Sequence, residues 1–114
     1  MNIEKTSITP EVKFADGILE ISGRSVPKHG ISFYAPIKEA IEKYCLAPSL
    51  LTTVKITLEY FNTTSSKALL DIFKIFERLK KAGHDVRIEW YYEEDDQEML
   101  EYGEDYQAII NVPF

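Results

Sequence analysis

The sequence has few of the residues on which disulfide-bonded, metal-binding and membrane-spanning proteins depend. Cys45 is the only cysteine among 114 residues, so an intrachain disulfide and a multi-cysteine metal site are both excluded. His29 and His84 are the only histidines and are far apart in the chain, which argues against a zinc site or a catalytic triad. No apolar run approaches the roughly 18 residues that span a bilayer, and residues 1–5 do not resemble a secretory signal. We therefore expect a cytoplasmic protein without membrane insertion.

Positive charge is scarce as well. The formal net charge is -6, and residues 93–105 hold eight acidic side chains and no Lys or Arg. Contacts to phosphate supply most of the affinity of nucleic-acid-binding proteins, so nucleic acid and anionic membranes are poor candidate partners. A Gly-rich phosphate loop is also missing, so we expect neither ATP binding nor a cofactor.

The composition is that of an ordinary globular domain, with 45% hydrophobic and 28% charged residues. The length fits one domain, assigned to residues 11–114, with residues 1–10 as a loose lead-in. Its periodicities predict the order β-β-α-β-α-β-α-β. Strands joined through helices imply parallel neighbours, and an opening hairpin adds an antiparallel pair. The expected fold is α/β, a mixed four- to five-stranded sheet with helices mainly on one face.

The strands are predicted from alternation of apolar and polar residues. Asp16-Gly17 separates two short alternating segments and is a strong signal for a two-residue hairpin. Residues 53–60 alternate strictly, with Tyr60 on the apolar side, and residues 86–92 repeat the pattern. Residues 109–112 are predicted as a final short strand.

Three helices are predicted from apolar residues at helical spacing. The first runs from Tyr34 to Tyr44, with Pro36 in its first turn, after a loop at residues 23–30. The second runs from about Thr63 to Ala82, and its apolar stripe is Leu69, Ile72, Phe73, Phe76 and Leu79. The third opens with a capping box formed by Asp95 and Glu98.

Residues 58–67 are the candidate functional segment, because open α/β sheets place their sites at the carboxyl ends of strands. Five consecutive residues, Asn62 to Ser66, are amides or hydroxyls that favour helix N-termini, whereas one cap needs only one of them. Simple capping is one interpretation. A nucleophile of the hydroxyl-x-x-Lys type, formed by Thr64 and Lys67, is another, but its companion motifs are absent.

The acidic segment Glu93, Glu94, Asp95 and Asp96 lacks the spaced ligands and central Gly of a calcium loop, so no metal is expected. A solvated helix start, stabilised by the helix dipole, would explain it. A docking surface for a partner protein would explain it equally.

Several segments together resemble one family. They are Gly23-Arg24-Ser25-Val26-Pro27, residues 33–37, residues 58–67, and residues 90–105 together with the terminal Val112-Pro113-Phe114. The Tyr-Phe-Asn-Thr block and the Trp-Tyr-Tyr-acidic block are the most specific parts. Over nearly its whole length, the sequence resembles the SiaC-like regulatory phosphoproteins of bacteria.

This resemblance implies a STAS-like fold and a non-enzymatic, partner-switching regulator. It implies that a Ser/Thr protein kinase phosphorylates the threonine directly after Asn62, which is Thr63, and that a PP2C-like phosphatase removes the phosphate. Thr64 is the second choice as acceptor, and Asn62 and Lys67 are expected to support the phosphorylated site. In the family, the unphosphorylated protein binds and activates a diguanylate cyclase and promotes biofilm formation.

The partner-binding surface is expected to use Arg24, Ser25, Pro27, Glu93, Glu94, Asp95 and Asp96. Two other functions remain open from the residues alone. One is constitutive binding, or a scaffold role, through the same surface without phosphorylation. The other is a small enzyme that uses the Thr/Ser/Lys cluster.

Overall fold

The computed structural model describes residues 1–114 and contains one five-stranded mixed sheet and three helices. The strands are β1 (Asn2–Ile3), β2 (Glu11–Ala15), β3 (Ile18–Ser25), β4 (Leu51–Phe61) and β5 (Asp85–Trp90), and the helices are α1 (Gly30–Tyr44), α2 (Thr63–Lys81) and α3 (Gln97–Ile109). The strands lie in sequence order, antiparallel from β1 to β3 and parallel from β3 to β5. The predicted mixed α/β sheet is confirmed. None of the helices combines the length and apolar character needed to cross a bilayer.

The antiparallel part of the sheet is built around the turn between β2 and β3. Asp16 and Gly17 have φ values of 53° and 77°, and the tight hairpin turn that suits twisted strands needs positive φ at both positions. The predicted hairpin is therefore confirmed. Residues 1–10, predicted as a loose lead-in, contribute β1 to the edge of the sheet, where Ile3 pairs with Val12.

The helices cover one face of the sheet. The crossovers through α1 and α2 each join adjacent parallel strands in the same direction, and such crossovers are right-handed, so both helices lie on the same side. The core between helices and sheet includes side chains that are completely buried, among them Leu19, Ile21, Ile37, Val54, Ile56, Leu69, Ile72, Phe73, Phe76 and Ile88. The predicted apolar stripe of α2 therefore faces the sheet. The other sheet face carries polar side chains such as Glu20, Lys55 and Thr57.

The first helix begins earlier than predicted. α1 starts at Gly30, and Phe33 N donates to His29 O at 2.9 Å, so Pro36 lies inside the helix. An interior proline removes one helical hydrogen bond. Tyr34 lies in this early part of α1 and is completely buried, so the turns before Pro36 are packed into the core.

The chain end differs from the sequence-based expectation as well. α3 continues to Ile109, and the residues after it form an irregular tail instead of the predicted strand at 109–112. Ile88 N donates to Pro113 O at 2.8 Å, but Pro113 has no N–H to return to a strand ladder. Ile110 and Val112 are nevertheless buried, so the tail contributes side chains to the core beside β5.

A bulge in β4 reverses the expected orientation of Tyr60. Gly23 pairs with Leu58 and Arg24 pairs with Tyr60, which leaves Glu59 as an extra residue in β4. After the extra residue the alternation shifts by one, so Phe61 is buried and Tyr60 is 48% exposed. The prediction that Tyr60 faces the core is wrong for this reason.

Candidate functional site

The site is the junction where β4 ends and α2 begins. Asn62 is the N-cap of α2, and its Oδ1 accepts a hydrogen bond from Ser65 N at 2.9 Å. The backbone oxygen of Asn62 accepts from Ser66 N at 2.9 Å. The N–H groups of Thr63 and Thr64 have no acceptor within the helix, as in any first turn. Because Asn62 alone provides the cap, simple capping does not explain the four hydroxyls that follow it.

Replacing Asn62 by alanine is expected to lower the free energy of unfolding by about 1 kcal/mol, because Ser65 N loses its side-chain acceptor. Chemical denaturation measures the change. Asn62→Asp is the matched control, since Asp caps helices as well as Asn does. Equal stability of the Ala and Asp variants would contradict this role of Asn62.

Ser65 belongs to a buried chain of hydroxyls under the start of α2. Its Oγ donates to Ser25 O at 2.9 Å and lies 2.7 Å from Ser25 Oγ, which lies 2.6 Å from Tyr34 OH. One proton per hydroxyl fixes the directions, from Tyr34 to Ser25, from Ser25 to Ser65, and from Ser65 to the carbonyl. All three residues are 0% exposed, and burial raises the pKa of the Tyr34 phenol, which keeps it a neutral donor.

This chain of hydroxyls corrects one expectation for Ser25 and limits the role of Ser65. Ser25 was expected at the partner surface, but it is completely buried and holds β3, α1 and α2 together. Pro27 is also buried and is not available as a surface contact. A kinase cannot reach Ser65 while the start of α2 is folded.

Thr63 and Thr64 are the two exposed hydroxyls of the segment, and neither makes a side-chain hydrogen bond within the protein. Thr64 packs its methyl group against α1, where a Cβ added to Gly30 would lie 2.6 Å from Thr64 Cγ2. Thr63 borders three surface cavities, of about 440, 250 and 390 Å³, whereas Thr64 borders only the first. Thr63 therefore lies at the border that the three cavities share.

Lys67 lies one turn after Thr63 on the same side of α2. Its side chain is 77% exposed, and its Nζ lies 3.9 Å from Asp71 Oδ1. Asp71 also accepts a hydrogen bond from Lys38 Nζ at 2.9 Å, which holds the pKa of Asp71 below its ordinary value. A lysine that activates a nucleophile needs desolvation, and Lys67 is hydrated and beside a carboxylate, so the hydroxyl-x-x-Lys interpretation gains no support.

Aromatic side chains surround Thr63 in a way that the sequence did not reveal. Tyr60 and Tyr102 are 48% and 36% exposed and border the same cavity as Thr63. The guanidinium of Arg24 lies 5.6 Å from the centre of the Tyr60 ring. Arg24, as expected, is at the surface. The sequence pattern places Tyr60 on the apolar side of its strand, and the bulge in β4 explains that error.

The acidic segment is not uniform. Glu93, Glu94 and Asp95 are exposed, but Asp96 is half-buried. Asp96 is the N-cap of α3, since its Oδ1 accepts from Met99 N at 3.0 Å, so the predicted box of Asp95 and Glu98 is displaced by one residue. Met99 fixes this start because its side chain is buried and its carbonyl accepts from Trp90 Nε1 at 2.9 Å. Asp96 therefore has a structural role.

The site contains no group of three or more His, Cys, Asp or Glu side chains placed to hold a metal ion. From the acidic run 93–105, Asp105 on α3 borders the third cavity together with Thr63. What the junction offers is an exposed hydroxyl, a hydrated lysine and two exposed tyrosines. Such a surface is suited to modification and protein binding.

Known proteins share this architecture over the full chain. A protein of Pseudomonas aeruginosa strain UCBPP-PA14, described as uncharacterized, is 24% identical over 116 residues, which cover 100% of this chain and 92% of that protein. The crystal structure of apo-SiaC from Pseudomonas aeruginosa is 24% identical with a TM-score of 0.93, covering 100% of this chain and 94% of that one. A structure of the diguanylate cyclase SiaD in complex with its activator SiaC, from the same organism, matches at 25% identity and a TM-score of 0.94, covering 100% and 95%. The model of the SiaC family regulatory phosphoproteins matches residues 3–114. The chain therefore belongs to the SiaC family of regulatory phosphoproteins.

Proposed function

We propose that this chain is a cytoplasmic, non-enzymatic partner-switching regulator that binds and activates a diguanylate cyclase while Thr63 is unphosphorylated. A Ser/Thr protein kinase adds a phosphate to Thr63, a PP2C-like phosphatase removes it, and the output is biofilm formation through cyclic di-GMP. SiaC of Pseudomonas aeruginosa, which is described as the activator of the cyclase SiaD, is similar to this chain over its full length. The observation that carries the proposal is the exposed hydroxyl of Thr63, which makes no side-chain hydrogen bond and directly follows Asn62, the position that the resemblance implies for the acceptor.

The local physics suits a switch that blocks docking without unfolding the domain. A phosphate on Thr63 adds roughly -1.5 to -2 charges, which the free N–H groups and the positive end of the helix dipole stabilise. Lys67, one turn along, supplies a positive charge on the same side. The cap from Asn62 does not use the Thr63 side chain, so α2 keeps its start. A partner packed over this surface would meet a new anion.

The unphosphorylated surface has the chemistry of a protein contact. Interface hot spots are enriched in Tyr, Trp and Arg. Arg24, Tyr60 and Tyr102 provide such side chains beside Thr63, and the guanidinium of Arg24 lies over the ring of Tyr60. We assign the contact with the cyclase to these three residues, and a phosphate on Thr63 would lie among them.

Mass spectrometry of the protein purified from its own cells tests the proposal, with and without a PP2C inhibitor. We expect a single phosphate on Thr63 whose occupancy rises with the inhibitor. Phosphate on Ser65 or Ser66, with Thr63 unmodified, would overturn the assignment. A protein that binds the cyclase but never carries phosphate would identify a constitutive binding domain instead.

The exposed part of the acidic segment is expected to serve partner choice. Replacing Glu93, Glu94 and Asp95 by their amides, with the capping Asp96 retained, should change stability by less than about 0.5 kcal/mol. Charges at the rim of an interface mainly set the association rate, so binding to the cyclase in low salt should become slower. Stopped-flow association kinetics measure this.

The matched control neutralises three exposed acids elsewhere on the chain, namely Glu4, Glu39 and Asp85. The net charge then changes equally in the two variants. Equal association rates for the two variants would show that the acidic segment is simply solvated.

A further inference from the structure

Ser66 is the hydroxyl that competes most directly with Thr63. It lies three residues after Thr63, on the same side of α2. Two of the three surface cavities that Thr63 borders are bordered by Ser66 as well, whereas neither is bordered by Thr64. A kinase that docks over Thr63 therefore also covers Ser66. A structural difference between the two hydroxyls must then determine which one accepts the phosphate.

Tyr106 on α3 contacts Ser66 through two hydrogen bonds. Its phenol donates to Ser66 O at 2.9 Å, and the same phenol oxygen lies 3.0 Å from Ser66 Oγ. A phenol has one proton, and the carbonyl takes it. The bond to Ser66 Oγ must therefore run the other way, with the Ser66 hydroxyl as the donor.

The phenol is held rigidly in place. Tyr106 is 6% exposed, and its ring packs against Phe73 and Trp90 at centroid distances of 5.1 and 5.4 Å. It cannot swing away from Ser66 without disturbing this aromatic cluster. Thr63, by contrast, makes no side-chain hydrogen bond, so its hydroxyl proton is free.

The direction of these bonds matters for phosphoryl transfer. In the reaction the acceptor Oγ forms a bond to the γ-phosphorus of ATP, the bond from that phosphorus to the bridging oxygen of ADP breaks, and the hydroxyl proton passes to a base of the kinase. An acceptor must therefore point its proton toward the docked enzyme. Ser66 points its proton inward, to the phenol oxygen.

We propose that Tyr106 is a specificity-determining residue that masks the Ser66 hydroxyl and so directs phosphorylation to Thr63. The inference rests on the proposed function, because it presupposes a kinase that acts on this surface. It assigns to α3 a part in acceptor choice, through a side chain that is itself buried.

The test compares three proteins expressed in the cells of origin with a PP2C inhibitor present: wild type, Tyr106→Phe and Tyr44→Phe. Tyr106→Phe removes only the phenolic oxygen and keeps the ring. Tyr44→Phe makes the same change on α1, where the phenol is hydrogen-bonded to Thr52 and Ser49 and borders none of the cavities around Thr63. Peptide mapping by mass spectrometry gives the ratio of phosphate on Ser66 to phosphate on Thr63, and circular dichroism verifies the fold.

We expect that ratio to rise on the order of tenfold in Tyr106→Phe, the factor that corresponds to one hydrogen bond of ordinary strength, and to stay at the wild-type value in Tyr44→Phe. A second variant, Tyr106→Phe with Ser66→Ala, should return all phosphate to Thr63. If wild type and Tyr106→Phe both carry phosphate on Thr63 and have the same Ser66-to-Thr63 ratio, the masking role is overturned while the proposed function stands. If wild type carries no phosphate on this segment, the proposed function fails and this inference fails with it.

Discussion

Replacing Phe73 by alanine is expected to lower the free energy of unfolding by about 3–5 kcal/mol, because the substitution removes a fully buried ring and leaves a cavity. Phe73 is 0% exposed and joins α2 to three other aromatic side chains, with ring centroids 6.5 Å from Trp90, 5.1 Å from Tyr106 and 5.7 Å from Phe114. Domains of this size have a total stability of about 5–15 kcal/mol, so much of the variant would be unfolded at moderate temperature. Urea denaturation measures the loss.

Ile31→Ala is the control for this experiment. Ile31 lies on α1 and is 81% exposed, so its truncation should change the free energy of unfolding by less than about 0.5 kcal/mol. A Phe73→Ala protein with an unchanged melting curve would show that α2 does not pack on the sheet as described.

Replacing Thr63 by glutamate is expected to weaken binding to the cyclase about a hundredfold, which corresponds to about 2.7 kcal/mol, because a larger, charged side chain is placed inside the contact. Folding should be unaffected, since Thr63 is exposed and an acidic residue in the first turn of a helix suits the helix dipole. Isothermal titration calorimetry with the purified cyclase measures the affinity.

Thr57→Glu provides the matched control, because Thr57 is an exposed threonine of β4 on the sheet face away from the helices. The same change of side chain and charge there should leave the affinity at the wild-type value. Binding by Thr63→Glu as tight as that of wild type would count against the switch.

Much of the fold could be predicted because local signals agree with the final structure. Asp16-Gly17 predicts the hairpin, and the apolar stripe ending at Gly83 predicts α2. Gly83 has a φ of 99°, a conformation that only glycine adopts readily and that ends the helix where the sequence places its end. The errors lie where a long-range pairing overrides the local pattern. The bulge at Glu59 depends on the pairing of β4 with β3, and the sequence of β4 alone does not predict it.

In the candidate site, too, the local features could be predicted from the sequence and the features that depend on distant residues could not. The position of Thr63 after Asn62 is a local feature that the sequence shows directly. The burial of Ser65 depends on Ser25, which is 40 residues away in the chain, and the bonding of Ser66 depends on Tyr106, which is also 40 residues away. Sequence spacing therefore identified a row of equivalent hydroxyls, and only the packing of β3, α1 and α3 around α2 makes them different.

The most direct test of the switch compares the affinity of two forms of the protein for the diguanylate cyclase, one unphosphorylated and one fully phosphorylated on Thr63 alone. Circular dichroism of both forms should be the same, because the phosphate lies outside the cap formed by Asn62. We predict that the unphosphorylated form binds and activates the cyclase and that the phosphorylated form binds about a hundredfold more weakly, a difference of about 2.7 kcal/mol. Equal affinity of the two folded forms would contradict the account.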